Sequence, residues 1–235
     1  MKIVVTAGPT REYLDPVRFL SNPSTGKMGF AVAAEAARRG HDVTLIAGPV
    51  ALKTPSGVRR VDVVSAREML EKSLESLKHP NTQTVFVSTA AVADWRPATC
   101  AAQKLKKHEM SSTLKLVRNP DILKTISQLS KHPNLLLVGF AAETNDVLAE
   151  AARKCREKGL AFIVANDVTE AGSGFGTATD RVTFVYPDGR QEKFPLMTKR
   201  RVAAALVRTV ERLSAEGGGD FVRSRPSRGQ SRRDP

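Results

Sequence analysis

An alternation of short apolar runs with longer helical segments constrains the fold of this 235-residue chain more than any other feature. Largely apolar runs, rich in β-branched residues, occupy residues 2–6, 42–47, 84–88, 135–140 and 161–165. Continuous runs of this kind are typical of strands that are buried on both faces of a parallel sheet. The sequence therefore predicts a parallel sheet covered on both sides.

Helices are predicted between these runs, at residues 26–39, 65–77, 119–130, 145–158 and 198–213. Gly40 and Gly159 supply left-handed ends for two of them. Asn119 predicts a side-chain cap, with Pro120 at the first helical position. Strand, helix and strand in this order form right-handed crossover units. The predicted fold class is thus α/β, a doubly wound, Rossmann-like and mostly parallel sheet.

Two segments interrupt the alternation. Residues 104–117 predict an inserted β-ribbon, because residues 113–117 alternate between polar and apolar side chains. Residues 181–194 predict a hairpin that precedes the last helix and turns at 187–189, a Pro-Asp-Gly sequence. We expect one nucleotide-binding domain over residues 1–213. Residues 214–235, rich in Gly, Arg and Ser, predict a disordered tail.

Composition excludes several classes of protein. No apolar run approaches the ~20 residues of a membrane span, so no membrane partner is expected. Two cysteines, Cys100 and Cys155, are too few for a disulfide framework, which favours the reducing cytoplasm. The formal net charge is +13, which opens a nucleic-acid interpretation. Aromatic residues make up only 5% and do not alternate with the basic clusters, so dedicated nucleic-acid binding is not predicted.

Common cofactor motifs are missing. Gly-x-Gly-x-x-Gly does not follow the first strand, which argues against a nicotinamide dinucleotide. The sequence from Ser24 to Lys27 imitates a phosphate-binding P-loop, but Ser21 and Met28 replace its first Gly and its magnesium-binding hydroxyl. The four histidines are scattered without ligand spacing, so no metal ligand is assigned.

Ligands of doubly wound sheets bind beyond the carboxyl ends of the strands. The connection 8–25 is long for such a fold and ends at a helix start, where free N–H groups suit a phosphate. A plain Ser or Thr helix cap explains the same residues equally well. Ribbon alternation would bring Lys104 and Lys106 to one face, and Lys154 and Lys158 share a helix face. These features favour a phosphate-rich ligand surrounded by lysines.

Seven ordered motifs occur over residues 1–213, at 5–12, 21–40, 90–97, 104–107, 119–123, 139–144 and 165–167. With these motifs the chain resembles the phosphopantothenate–cysteine ligases (phosphopantothenoylcysteine synthetases) of bacterial coenzyme A biosynthesis. In many bacteria this domain follows a flavin-dependent decarboxylase. Because the chain begins at the first synthetase strand, it resembles a stand-alone form.

The resemblance implies a ligase that joins 4′-phosphopantothenate to L-cysteine. A nucleoside triphosphate, usually CTP in the bacterial family, converts the pantothenate carboxylate to an acyl-nucleotidylate, and cysteine then displaces the nucleoside monophosphate. The sequence itself does not decide between CTP and ATP. The implied requirements are Mg²⁺ with the triphosphate and no flavin. The family also implies a cytoplasmic homodimer in which loops of the neighbour help to complete the site.

Site residues follow from the same resemblance. The catalytic residues would be Asn22, beside the acyl group, and Lys104, beside the triphosphate. The implied nucleotide-binding residues are Ser88, Thr89, Ala90, Asp94, Lys104, Pro120, Asp121, Ile122, Leu123, Phe140, Lys154 and Lys158. The weaker candidates for substrate binding are Arg11, Asn22, Ser24, Thr25, Gly26 and Ala91. Residues 172–176 would form a glycine-rich flap. Just after it, Ala178 and Asp180 stand where the family usually has Asp and then Asn before the hairpin.

Two other functions remain open on the residues alone. An NAD(P)-dependent or nucleotide-sugar enzyme could use the same fold, although the glycine fingerprint is missing. A basic nucleic-acid-binding module would show an affinity that falls steeply with salt and survives deletion of the Arg-rich tail.

Overall fold

The computed structural model describes residues 1–78, 82–106, 111–129, 134–143 and 146–216. The helices are α1 (Lys27–Arg38), α2 (Ala66–Ser76), α3 (Ile122–Leu129), α4 (Val147–Glu157) and α5 (Lys199–Glu216). The strands are β1 (Lys2–Ala7), β2 (Arg11–Tyr13), β3 (Phe19–Ser21), β4 (Asp42–Ala47), β5 (Val58–Asp62), β6 (Thr84–Ser88), β7 (Trp95–Pro97), β8 (Leu116–Arg118), β9 (Leu135–Glu143), β10 (Phe162–Asp167), β11 (Thr179–Asp180), β12 (Thr183–Val185), β13 (Gln191–Lys193) and β14 (Met197–Thr198).

The main sheet has the strand order β13-β12-β10-β9-β6-β1-β4-β5. Strands β10, β9, β6, β1, β4 and β5 are parallel, and β12 and β13 add an antiparallel edge. The chain starts at the centre of the sheet with β1, winds outward to β4 and β5, and then crosses to β6 on the other side. The predicted doubly wound, mostly parallel sheet is therefore confirmed.

Helices cover both faces of this sheet, because successive side chains of a strand point to opposite sides. Ile3 and Val5 of β1 pack in a core with α1 and α5, whereas Val4 packs in a second core with α2, α3 and α4. No helix in the described part of the chain is long and apolar enough to cross a membrane.

The edge strand β5 was not predicted from the sequence. It contains Arg59 and Arg60, and its side chains are half-buried or exposed, so it lacks the apolar run of the inner strands. The connection after β1 also contains an unpredicted hairpin, in which β2 pairs with β3. The predicted hairpin at 181–194 is confirmed as β12 and β13, with Gly189 in its turn.

The predicted ribbon at 104–117 is wrong in its strands. The observed ribbon pairs β7 with β8, and residues 104–106, which the structure describes, lie in neither strand. Their backbone bonds to side chains instead, since the Leu105 N–H donates to Asp15 Oδ2 and the Leu105 carbonyl accepts from Arg18 Nη2. The inference that alternation places Lys104 and Lys106 on one strand face therefore fails, and Lys107 lies outside the described residues.

Two helix ends differ from the prediction. Asp121, rather than Asn119, caps α3, because its Oδ1 accepts from the Lys124 N–H at 3.0 Å. Asn119 instead donates to the Ala93 carbonyl and accepts from Arg96, so Pro120 precedes the helix. Helix α5 continues to Glu216, three residues into the predicted tail. The rest of the predicted tail, 217–235, lies outside the described residues.

Candidate functional site

A cavity opens at the carboxyl ends of β1, β6, β9 and β10. Its walls are the start of α1, the loop after β6, the end of β9 and the glycine-rich loop that precedes β11. The described residues that line it are Ser24, Thr25, Gly26, Lys27, Met28, Gly29, Thr89, Phe140, Ala142, Asn166, Gly174, Phe175, Gly176, Asp180 and Lys199. The cavity therefore lies at the strand ends where the sequence predicts a ligand.

The start of α1 forms one wall and presents backbone N–H groups. Gly26 is the N-cap residue in a left-handed conformation (φ 77°), and no side chain among the described residues caps this end. The Ser24 hydroxyl accepts from the Gly26 N–H at 3.3 Å, but Gly26 precedes the helix, so this bond satisfies no N–H group of α1 itself. The sequence allowed either a phosphate-binding helix start or a plain Ser or Thr cap at residues 21–27, and the cap is wrong. The uncapped, positive end of the helix dipole suits an anion.

Gly29 brings this helix close to the sheet. A Cβ at position 29 would lie 2.4 Å from both the Ala7 Cβ and the Thr89 Oγ1, so only glycine fits without movement. Thr89 in turn donates to the Thr6 carbonyl at 2.6 Å. The first turn of α1 is thus held directly above the ends of β1 and β6.

Asn22 connects the first two loops of the site. Its Nδ2 donates to the carbonyls of Ala91 and Val92, both at 3.1 Å. The loop after β6 is also bonded to the loop after β1, since the Ala91 N–H donates to the Gly8 carbonyl at 2.9 Å. The structure therefore brings the predicted residues Asn22 and Ala91 together, in two loops from which Ser24 and Thr89 line the cavity.

The glycine-rich loop covers the opposite side and is held by a buried ion pair. Asp180 Oδ2 accepts from Lys199 Nζ at 2.6 Å, and Asp180 Oδ1 accepts from the Gly174 N–H and the Ser173 hydroxyl. Lys199 also donates to the Gly174 carbonyl at 3.0 Å. Both polar groups of Gly174 are therefore satisfied by the pair. At the outer end of the loop, Lys27 donates to the Gly176 carbonyl.

The start of α3 contacts the end of α4 through two predicted nucleotide-binding residues. Lys158 Nζ lies 2.7 Å from Asp121 Oδ2. Burial alone would raise the pKa of Asp121, but the hydrogen bond from Lys158 and the Lys124 N–H lower it below the usual range. Ile122 and Leu123 are core residues, 4% and 8% exposed, which leaves mainly their backbone for a ligand.

Other predicted residues lie outside the cavity wall. Asp94 and Lys104 are exposed, Lys154 is half-buried on α4, and Ser88 and Pro120 are half-buried. Arg11 lines a separate shallow groove with Arg60, and its guanidinium stacks on the Phe19 ring at 4.6 Å from the centroid. The structure thus joins the α1 start, Thr89 and Phe140 in one cavity and leaves Lys104 and Arg11 apart from it.

Sequence reasoning assigned no role to Asn166 or Lys199, although both line the cavity. Lys199 begins a basic cluster at 199–201, a pattern that normally indicates exposed side chains, yet it is only 8% exposed. Asn166 lies in the motif at 165–167 and donates to Asp180 Oδ1 at 3.2 Å. Asp180 and Lys199 are 19 residues apart, and no local pattern in the sequence indicates that they pair.

Within the described ranges, no group of three or more His, Cys, Asp or Glu side chains could hold a metal ion. Mg²⁺ bound to nucleotides takes most of its ligands from phosphate oxygens and water. A metal that arrives with a triphosphate would therefore need few ligands from the protein.

A family model described as the DNA/pantothenate metabolism flavoprotein C-terminal domain matches residues 1–213. The chain belongs to this family. A relative from Vibrio vulnificus (strain YJ016), the coenzyme A biosynthesis bifunctional protein CoaBC, is 43% identical over 213 residues. The match covers 90% of this chain and 52% of that protein, so the chain spans about half the length of such curated relatives.

Solved structures with the same fold support this assignment of the architecture. The C-terminal domain of a CoaBC protein is 40% identical, with a TM-score of 0.76 over 92% of this chain and 96% of that chain. A mutant of Cab2 in complex with phosphopantothenate-cysteine has a TM-score of 0.72 at 15% identity, covering 92% of this chain and 87% of that chain, which shows a common fold alone. Since the CoaBC relatives are bifunctional proteins, a stand-alone form of this chain stays a prediction.

Proposed function

We propose that this chain is a phosphopantothenate–cysteine ligase of coenzyme A biosynthesis. The observation that carries the proposal is the uncapped start of α1, which faces the glycine-rich loop across a cavity at the strand ends. Membership of the pantothenate metabolism family and the similarity to CoaBC, a coenzyme A biosynthesis protein, support the substrates.

The first step would activate a carboxylate. A carboxylate oxygen of 4′-phosphopantothenate attacks the α-phosphorus of the triphosphate, and the bond to the bridging oxygen breaks. Pyrophosphate leaves with that electron pair, and an acyl-nucleotidylate remains. This activation is needed because a free carboxylate is a poor electrophile.

The second step would form the amide. The neutral amine of cysteine attacks the acyl carbon, and the nucleoside monophosphate leaves with the oxygen that came from the carboxylate. The nitrogen loses its proton as the amide forms. No electrons are exchanged with a redox cofactor in either step, so the proposed reaction needs no flavin.

The proposed residue roles divide between the two sides of the cavity. The free N–H groups at the start of α1, together with Ser24, Thr25 and Gly26, would bind the phosphate of 4′-phosphopantothenate. The loop of Thr89 and Ala90 would approach the nucleoside, and Asn22, already bonded to that loop, would lie beside the acyl group. Lys104 would balance the charge that develops on the triphosphate.

The lysines of α4 would add charge around the nucleotide. Lys158 is bonded to Asp121 at the start of α3, so the two proposed nucleotide-binding residues would act as a pair. The nucleotide is proposed to be CTP, which would bind as its Mg²⁺ complex. Arg11 remains a proposed contact for the phosphate of 4′-phosphopantothenate.

A homodimer in the cytoplasm is part of the proposal. The β2–β3 hairpin and the β7–β8 ribbon expose large apolar side chains, which include Val17 (57%), Phe19 (40%) and Trp95 (44%). Exposed apolar groups on adjacent ribbons are typical of a surface that binds another protein. A monomeric mass at micromolar concentration in sedimentation equilibrium would contradict this part of the proposal.

The decisive experiment measures pyrophosphate release with phosphopantothenate present and cysteine withheld, separately for CTP and ATP. We expect release with CTP, and we expect Lys104→Gln to slow it by about 10²–10³-fold because a positioned cation at developing charge is lost. Lys72→Gln is the matched control, since Lys72 is an exposed lysine on α2 that pairs with Glu75.

Three outcomes would contradict the proposal. Absence of pyrophosphate release with every common triphosphate would exclude the ligase reaction. Equal rates for the wild type and Lys104→Gln would remove Lys104 from the chemistry. Binding of a nicotinamide cofactor would instead favour another nucleotide-dependent enzyme on this fold.

A further inference from the structure

Residues 101–105, which include Lys104, are bonded to the turn at 14–18. The Ala101 N–H donates to the Leu14 carbonyl at 2.9 Å. The Leu105 N–H donates to Asp15 Oδ2 at 3.2 Å, and the Leu105 carbonyl accepts from Arg18 Nη2 at 2.9 Å. Both polar backbone groups of the residue after Lys104 are thus fixed by the side chains of one turn.

The two carboxylate oxygens of Asp15 have separate functions. Oδ1 accepts from the N–H groups of Val17 and Arg18, both at 2.9 Å, which closes the turn. Oδ2 accepts from Arg18 Nε at 3.0 Å, from Arg18 Nη2, and from the Leu105 N–H. The Asp15 side chain has no exposed surface, so water does not compete for these bonds.

Charge keeps this arrangement in place near neutral pH. The bonds from Arg18 hold the pKa of Asp15 well below its usual range, although burial acts in the opposite direction. An ionised carboxylate accepts hydrogen bonds at both oxygens and donates none. Asp15 can therefore hold the turn and Leu105 at the same time.

We propose that Asp15 is a positioning residue that acts through Lys104. Lys104 is exposed and lies in no strand, so its location depends on how its own backbone is anchored. A misplacement of about 1 Å in a reacting group can cost about 10²-fold in rate. This inference rests on the proposed function, because it takes Lys104 as the residue that acts on the triphosphate.

Asp15→Asn separates the two roles of the carboxylate. The amide Oδ1 can still close the turn, whereas the NH₂ group in place of Oδ2 cannot accept from Arg18 or Leu105. We expect kcat for pyrophosphate release to fall by about 10- to 10²-fold while KM for the triphosphate changes little. Amide hydrogen exchange at Leu105 is expected to accelerate in the same variant.

Two further variants keep the test decisive if Asp15→Asn folds poorly. Leu105→Pro removes the same hydrogen bond from the other side, since Pro has no N–H, and leaves Asp15 in its turn. Asp188→Asn is the matched control, because Asp188 accepts from the N–H and the guanidinium of Arg190 in an exposed turn. It is expected to have wild-type kcat.

A double variant shows whether Asp15 acts through Lys104. If it does, Asp15→Asn adds no further loss to Lys104→Gln, since residues that act as a unit are not additive. Losses that multiply in the double variant, or a wild-type kcat in either Asp15→Asn or Leu105→Pro, would overturn the inference. The wild type serves as the separate test of the proposed function: if it releases no pyrophosphate, that proposal itself has failed.

Discussion

Asp15 and Asp180 each hold a loop by accepting from its backbone N–H groups, but their cationic partners differ. Arg18 follows Asp15 by three residues in one turn, and its side chain is 36% exposed. Lys199 follows Asp180 by 19 residues and begins helix α5, and its side chain is 10% exposed. One anchor is therefore local, whereas the other depends on the docking of a helix.

This difference separates two kinds of vulnerability. The Asp15 turn can keep most of its own bonds when distant parts of the chain move, because Val17 and Arg18, which donate to Asp15, lie within it. Burial removes water from both charges of the Asp180–Lys199 pair. Each charge is therefore stabilised mainly by its partner. We therefore expect damage at Asp180 to reduce the stability of the whole domain and damage at Asp15 to act mainly on residues 101–105.

The largest effect is expected for Asp180→Ala. This change leaves the buried Lys199 ammonium without its carboxylate and removes the acceptor of the Gly174 N–H. Breaking one partner of a buried pair typically costs about 3–5 kcal/mol. Equilibrium urea unfolding measures the loss.

Glu170→Gln is the control, because Glu170 pairs with Arg181 near the same loop with its side chain 35% exposed. Its expected cost is below about 1 kcal/mol. Similar costs for Glu170→Gln and Asp180→Ala would show that burial does not distinguish the two pairs and would break the comparison.

A smaller change is expected when both partners are replaced. Asp180→Ala combined with Lys199→Met removes the stranded charge, so this double variant should be more stable than Asp180→Ala alone by about 0.5–3 kcal/mol. Equilibrium urea unfolding of both variants measures this difference in the free energy of unfolding. Strictly additive losses would indicate that the two side chains do not interact energetically.

The smallest effect is expected from acid. Because the pKa of Asp15 is lowered in the folded state, its stabilisation is present above the ordinary value of 3.8 and is lost as the pH falls further. The difference in unfolding free energy between the wild type and Asp15→Asn should be constant from pH 7 to about 5 and narrow below 3.8. A difference that stays constant down to pH 2.5 would contradict this assignment.

Most of the fold was predictable because the inner strands are largely apolar. Strands β1, β4 and β6 needed no information beyond their own residues. Strand β5 was missed because an edge strand with Arg59 and Arg60 has no such signal. The ribbon was misplaced because alternation at 113–117 did not reveal that β8 pairs with β7.

The candidate site was less predictable, since it depends on which loops meet. The connection 8–25 could be singled out from its length and from the helix start that follows it. The uncapped geometry of that helix start then favoured a phosphate site over a plain Ser or Thr cap. The burial of Lys199 could not be inferred, because an isolated basic cluster gives no indication that α5 turns its first residue inward. The attachment of Leu105 to Asp15 joins positions 90 residues apart and leaves no local pattern.

The missing side chain at position 29 has a consequence for evolution at this site. With only hydrogen there, the first turn of α1 touches β1 and the loop of Thr89, so its height above the sheet is set by van der Waals contact. Any larger residue would lift that turn away from both neighbours. Substitutions in the surrounding loops can therefore change the substrate contacts, whereas position 29 tolerates almost no residue other than glycine.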